Sequence, residues 1–148
     1  MTHSLADFPG LVGKELFRSD WVPLESADEE AFRDATFLRE EFLGRPTSGG
    51  GSGERSVSGF LMLSMLVAFH KRELDLGSGG LNYGVDKVRF LRPVRTGHRV
   101  RVRAILLDLR RKDGGTRVLT RNELEVEGDG SPAMIADWIT FFPHDDAP

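Results

Sequence analysis

The sequence predicts an α+β domain in which one antiparallel sheet wraps around a long apolar helix. Three observations predict it. Residues 59–69, GFLMLSMLVAF, are apolar nearly all round, and such a helix belongs in the middle of a domain rather than on its surface. The segments after it alternate apolar and polar residues and are separated by turn signals. The chain has 148 residues, enough for one domain with a sizeable core, and residues 1–148 read as that single domain.

The elements follow in order. Scattered β-formers in KELFRSDWVPLES (14–26) predict a first strand. SADEEAFRDATF (26–37) predicts a helix. Ser26 is its expected cap and Glu29, three residues on, completes a capping box. Ala31, Phe32 and Ala35 share one face of that helix. Residues 44–57 hold a polar, glycine-rich loop with nothing to bury, expected to be mobile. The central helix spans 58–74, and its tail HKRE is expected to emerge into water.

LNYGVDKVRFL (81–91) predicts the next strand. In HRVRVRAILLDL (98–109), Val100 and Val102 point one way and Arg99, Arg101 and Arg103 the other. In RVLTRNELEVE (117–127), Val118, Leu124 and Val126 point inward with Thr120 and Asn122 between them. DGG (113–115) joins these two strands as a hairpin, and PAMIADWITFF (132–142) is the last strand.

Composition excludes some functions. Net charge is −3, which gives no general attraction to nucleic acid or to anionic lipid. Cysteine is absent, so disulfides and thiolate metal sites are excluded. No pair of histidines has metal-site spacing, and no cofactor motif is present. The first ten residues lack the charged and apolar regions of a secretory signal. The central apolar segment falls short of the roughly 20 residues a bilayer requires. A cytoplasmic protein without a membrane partner is the expectation.

Five segments, SDWVPL (19–24), AFRDAT (31–36), SGFLMLSML (58–66), LNYGVDKVRFLRPVRTGHRVR (81–101) and PAMIADW (132–138), resemble the MaoC-like dehydratase family in sequence and order. The resemblance implies the hot-dog fold. It also implies a pocket for acyl thioesters of coenzyme A or acyl carrier protein, and assembly as a dimer or double hot-dog. Members carry an aspartate and a histidine in a pattern like ATGDxxxxH. Here the same stretch reads ATFLREEFL. The glycine position falls on Phe37, the aspartate position on Leu38 and the histidine position on Leu43. Ser58 stands where members have a histidine ahead of the central helix. Hydration of an enoyl thioester needs one group to accept a proton and another to deliver one. Leucine does neither, and Leu38 and Leu43 instead suit an apolar ligand or a filled core.

The resemblance leaves the N-terminus of the central helix, Ser58, Gly59 and Phe60, as the place for a thioester carbonyl, through backbone N–H groups and the helix dipole. Gly59 is equally explained by close packing of the loop. Tyr83 and Asn82 are candidate hydrogen-bond donors to an oxyanion; Tyr83 also reads as a strand residue packed on the helix. Asp86 reads as tying down a turn. Glu40 and Glu41 are the acids inside the altered motif. Glu41 is kept as a candidate replacement for the lost aspartate, against a solvated helix end. His70 reads as a surface residue near a helix C-terminus. Residues 87–103 carry seven Lys or Arg in 17 residues. Cross-strand pairing with Glu123, Glu125 and Glu127 accounts for Arg99, Arg101 and Arg103. That leaves Arg92 and Arg95, beside Arg89, for the phosphates of coenzyme A or the acidic face of a carrier protein.

The function expected is therefore binding of an acyl thioester or a polyketide-like product, with a dehydratase, isomerase or cyclase activity that dispenses with the Asp/His pair. The alternatives are a non-catalytic subunit of a heterodimeric hydratase and a plain ligand-binding module. A homodimer or a heterodimer with another hot-dog chain is the expected assembly.

Overall fold

In the computed structural model, which describes residues 2–47 and 55–144, the six strands form one antiparallel sheet. Its order is β1 (Glu15–Arg18), β4 (Arg99–Lys112), β5 (Gly115–Val126), β6 (Met134–Pro143) and β3 (Leu81–Phe90), and β2 (Val22–Pro23) lies beside β4. The expected first strand is thus two short ones, β1 and β2, that share β4 as partner. The long hairpin β4–β5 turns at Asp113 and Gly114, where φ is 84° and glycine relieves the strain of that backbone. Half of the predicted glycine loop, residues 48–54, lies outside the described residues.

Alternation sorts the sheet into two faces. Val100, Val102, Ala104 and Leu106 of β4, Val118, Leu124 and Val126 of β5, and Met134, Ala136, Trp138 and Phe142 of β6 are buried. Thr120 and Asn122 are buried with them. The outer face carries the charges. Arg101 lies opposite Glu125 and Arg103 opposite Glu123 in the β4–β5 register. Their ion pairs are 2.6 and 3.1 Å long, and Arg99 meets Glu127 at 3.5 Å. Glu15 and then Glu123 bond the Arg103 guanidinium and hold its pKa above the ordinary value. The arginine row is therefore matched charge for charge.

Helix α1 (Ser26–Ala35) precedes a single turn, α2 (Glu40–Leu43), and the central helix is α3 (Gly59–Glu73). The cap of α1 corrects the sequence reading. Glu25 is the N-cap, and its backbone N–H donates to Asp28 at 2.8 Å. Ser26 is the first helical residue, and Glu29 is buried with partners of its own.

Helix α3 lays Met62, Leu66, Phe69 and His70 against the sheet. One chain covers only that face. Phe60 is 68% exposed, and Leu61, Leu63, Met65 and Val67 are half-buried. The expectation of burial on all sides is corrected accordingly. A helix packed on one sheet has one face to bury, and this one is apolar on the other face as well. Beside the open face runs the edge strand β3, with Leu81, Tyr83, Val85 and Phe90 all exposed.

Candidate functional site

Three structural features meet along α3. The first is at its N-terminus. The backbone N–H of Ser58 donates to Glu29 Oε2 at 2.8 Å, and the Ser58 hydroxyl donates to Glu29 Oε1 at 2.5 Å. Arg33, one turn further along α1, donates to the same carboxylate at 3.2 Å. Glu29 is 1% exposed. A buried carboxylate needs such partners, and at the positive end of a helix it is further stabilised. The helix end that could polarise a thioester carbonyl therefore already faces a negative charge. Gly59 sits under the Phe90 ring, and a methyl group there would lie 2.8 Å from a ring carbon. A larger residue would have to displace the half-exposed Phe90 ring, so close packing favours glycine at that position whatever else it does.

The second feature is a groove between α3 and β3. Leu63, Leu66, Val67 and Trp138 form its floor, and Asn82, Tyr83 and Val85 its far side, around a volume of about 300 Å³. Tyr83 is 69% exposed and makes no side-chain hydrogen bond among the described residues. It borders α3 across the groove, as a strand residue facing the helix does, but with its hydroxyl unsatisfied among the described residues. Asn82 is exposed as well. Neither side chain is pinned, and both border an apolar slot.

The third feature lies where the groove runs under the C-terminal half of α3. A cavity of about 170 Å³ is lined by Val67, His70, Asn82, Thr120, Trp138 and Thr140 among others. His70 is 4% exposed, which corrects the surface role expected for it. Its ring stands edge-on to Phe17 and Trp138, with centroids 5.1 and 4.8 Å away, and its Nε2 lies 2.6 Å from Asn122 Oδ1. Burial pulls its pKa down from 6.5 to about 4, against an upward pull from the Asn122 bond. The tail of α3 does emerge into water, but from Lys71 onward.

The altered motif lies apart from the groove. Leu38, Glu40 and Glu41 line a charged hollow with Glu30, Arg33, Asp34 and Arg39. Leu38 is 42% exposed and Leu43 half-buried. Glu41 is exposed at the start of one helical turn. The structure brings Gly59 and Phe60 close to Phe90 and turns Ser58 to Glu29, but it does not bring Glu41 to Tyr83 within one chain's groove lining. Arg92 pairs with Asp129 at 3.4 Å and donates to Ser131, so it is tied to the β5–β6 turn. This corrects the expectation that it lacks a partner. Arg95 is exposed. Asp86 accepts from the Lys87 backbone at 2.9 Å, beside a register shift in β3 where Lys87 has φ 49°.

Sequence reasoning missed Glu29 and the His70–Asn122 pair. Glu29 left a signal, a carboxylate three residues before Phe32 on the helix face that packs. Asn122 left another, an amide among the inward positions of β5.

No family model matches the chain. Over 150 residues it is 35% identical to nodulation protein N of Rhizobium leguminosarum bv. viciae, covering 96% of this chain and 92% of that protein. Over 141 residues it is 31% identical to 3-hydroxyacyl-thioester dehydratase Z of Mycobacterium tuberculosis, covering 92% of this chain and 93% of that protein. The MaoC-like dehydratase from Rhodospirillum rubrum superposes with a TM-score of 0.66 at 19% identity, over 89% of this chain and 92% of that one. The chain belongs to the MaoC-like dehydratase family. Its fold is the hot-dog fold, with α3 as the sausage and the six-stranded sheet as the bun. Among the described residues no helix of this MaoC-like chain is long and apolar enough to cross a membrane. Among them, too, no three His, Asp or Glu side chains gather as a metal site.

Proposed function

We propose that this MaoC-like protein binds an acyl thioester of coenzyme A or acyl carrier protein, or a polyketide-like product of such a chain, without the family's hydration chemistry. The observation that carries the proposal is the groove between α3 and β3. It is apolar, bordered by hydrogen-bonding side chains at Asn82 and Tyr83, and among the described residues no carboxylate or imidazole lines it. A dehydratase-named relative covering 93% of its own length supports the thioester as ligand class. Leu38 and Leu43 stand, in this reading, at the acid–base positions. The backbone at Phe37 supports that placement: its φ is 65°, the left-handed conformation that a glycine adopts without strain. The Glu29 carboxylate at the helix end favours binding over oxyanion stabilisation.

The protein acts as a dimer in this proposal, with itself or with a second hot-dog chain. The open face of α3 and the apolar edge β3 support pairing, because exposed strand edges are ordinarily covered or charged. A catalytic second reading rests on Tyr83. Its hydroxyl, bordering the groove, would donate to a developing enolate during an isomerisation or cyclisation.

Fluorescence titration tests the binding, since Trp138 lines the groove floor. Dodecanoyl-coenzyme A is expected to change the Trp138 emission and coenzyme A alone to leave it unchanged. Trp138→Phe should lose the signal. No response to any acyl thioester, with the chain alone and with a hot-dog partner, would overturn the proposal.

A further inference from the structure

The cavity under α3 holds a buried histidine that the proposed thioester chemistry does not use. Its hydrogen-bond state follows from its neighbours. The Asn122 amide nitrogen donates to the Thr120 carbonyl at 3.3 Å, the Thr120 hydroxyl at 3.1 Å and the Ala136 carbonyl at 3.4 Å. Carbonyl oxygens only accept, so the amide nitrogen must face them and the amide oxygen must face His70. The His70 Nε2 therefore carries the hydrogen and donates it to Asn122 at 2.6 Å. In the neutral ring Nδ1 is then an acceptor. The Asn122 bond is the only hydrogen bond of the ring among the described residues.

The other polar groups of the cavity are two buried hydroxyls and the exposed Asn82 amide that it shares with the groove. Thr120 accepts from Asn122 and keeps its own O–H to donate. Thr140 is buried, and its hydroxyl makes no side-chain hydrogen bond among the described residues. Phe8, Leu74, Trp138 and Phe142 supply apolar surface. The charged group in the lining is Lys71, which is exposed. One acceptor and two hydroxyl donors in an apolar shell complement a ligand hydroxyl, which can donate to the imidazole and accept from a threonine. An ionised group would be desolvated there without a buried counter-charge.

We propose that this cavity is a subsite for a neutral hydroxyl group on an aliphatic chain, with His70 and Thr140 as its recognition pair. Its 170 Å³ equals roughly five or six waters at ~30 Å³ each, room for a short alkyl segment ending in one polar group. The cavity shares Val67, Asn82 and Trp138 with the groove, so one chain can occupy both. His70 lies eleven residues beyond Gly59 along α3, or about 16 Å at 1.5 Å per residue. On the thioester reading, on which this refinement of substrate class rests, the protein selects acyl chains hydroxylated far from the thioester.

The test uses the full chain labelled with ¹⁵N, following the His70 ring nitrogens as 1-hexanol is added. Pentyl methyl ether, its isomer without an O–H, is the control. Hexanol is expected to shift Nδ1 upfield, as donation to it requires, and the ether to leave it in place. Thr140→Val should weaken the hexanol response about 5-fold, the worth of one hydrogen bond of ~1 kcal/mol. In parallel, ω-hydroxydodecanoyl-pantetheine should bind about 5-fold more tightly than dodecanoyl-pantetheine. An Nδ1 shift with hexanol but no binding of either thioester retains the hydroxyl site and removes the thioester reading. Equal binding of both thioesters with no Nδ1 shift, or equal shifts with alcohol and ether, overturns the hydroxyl site and leaves the thioester reading standing.

Discussion

Ser58 gives Glu29 both of its local donors, backbone N–H and hydroxyl, at 2.8 and 2.5 Å. The pair ties α1 to the N-cap of α3 across 29 positions of sequence. Removing it should be costly, because hydrogen bonds to a buried charge contribute about 1.5–3 kcal/mol each. Ser58→Ala should destabilise the fold by about 2 kcal/mol, read from urea denaturation. Glu29→Ala should cost more, about 3 kcal/mol, since it also empties buried volume and strands Arg33. Glu29→Gln should fall between wild type and Glu29→Ala. Loss of less than about 0.5 kcal/mol in Ser58→Ala would mean the carboxylate finds equal solvation without it.

His70 predicts a pH dependence. Its pKa is about 4 in the folded chain and near 6.5 unfolded. Below pH 6.5 the unfolded chain binds the extra proton, so stability rises with pH through this window. The contribution is fully present above pH 6.5 and is lost as pH falls to about 4. Its size is on the order of 3 kcal/mol. Carboxylates titrate in the lower part of the same range, so the wild-type slope alone does not isolate the histidine. His70→Gln can keep a donor to Asn122 without titrating. Its stability should change less between pH 6.5 and 4.5 than that of the wild type. Parallel curves would contradict the buried, neutral imidazole.

The edge strand β3 predicts the effect of a charge. Val85 is 50% exposed, so Val85→Lys should cost the single chain within about 0.5 kcal/mol. In a dimer paired along this edge the same lysine would be buried without a partner. Light scattering should then show wild-type dimers, alone or with a hot-dog partner, and Val85→Lys monomers. An unchanged dimer would place the contact elsewhere.

The fold was legible in the sequence because its signals are local. Alternation in residues 98–109 and 117–127 set the inward row from Val100 to Val126, and DGG set the hairpin between them. The candidate site was legible only in part. His70 stands in a charged tail, and its burial depends on Asn122, 52 residues away and visible only once β5 lies beneath α3. Glu29 satisfied a local capping pattern, while its real partner is Ser58. The tie between Arg92 and the β5–β6 turn is likewise long-range. An apolar periodicity tells that a helix has faces to bury; it does not tell whether this chain or another covers them.

The remaining prediction concerns the two leucines. If Leu38 and Leu43 occupy the acid–base positions, hydration of a short enoyl-coenzyme A should run at least ~10³-fold slower than in an Asp/His family member. Lost proton-transfer groups cost ~10²–10⁴-fold each and do not multiply when they act as a unit. Leu38 is 42% exposed in the single chain, so Leu38→Asp should change its stability little, within about 0.5 kcal/mol. Had Leu38 stood in the filled core that the sequence allowed, the same carboxylate would be buried and destabilising. Phe37 decides whether the pair can be restored. Its φ of 65° costs a non-glycine residue about 1–2 kcal/mol. Its ring packs on Phe42, with centroids 5.3 Å apart, and lies 4.9 Å below the Arg39 guanidinium. Phe37→Gly relieves the backbone and loses those contacts, so its net effect on stability should be small. The triple change Phe37→Gly, Leu38→Asp, Leu43→His is expected to gain hydratase activity over Phe37→Gly alone, measured as loss of enoyl absorbance. Rapid hydration by the unmodified chain would falsify the placement and shift the proton transfer to Glu41 or Tyr83. Glu41→Gln and Tyr83→Phe would then show which of the two carries it.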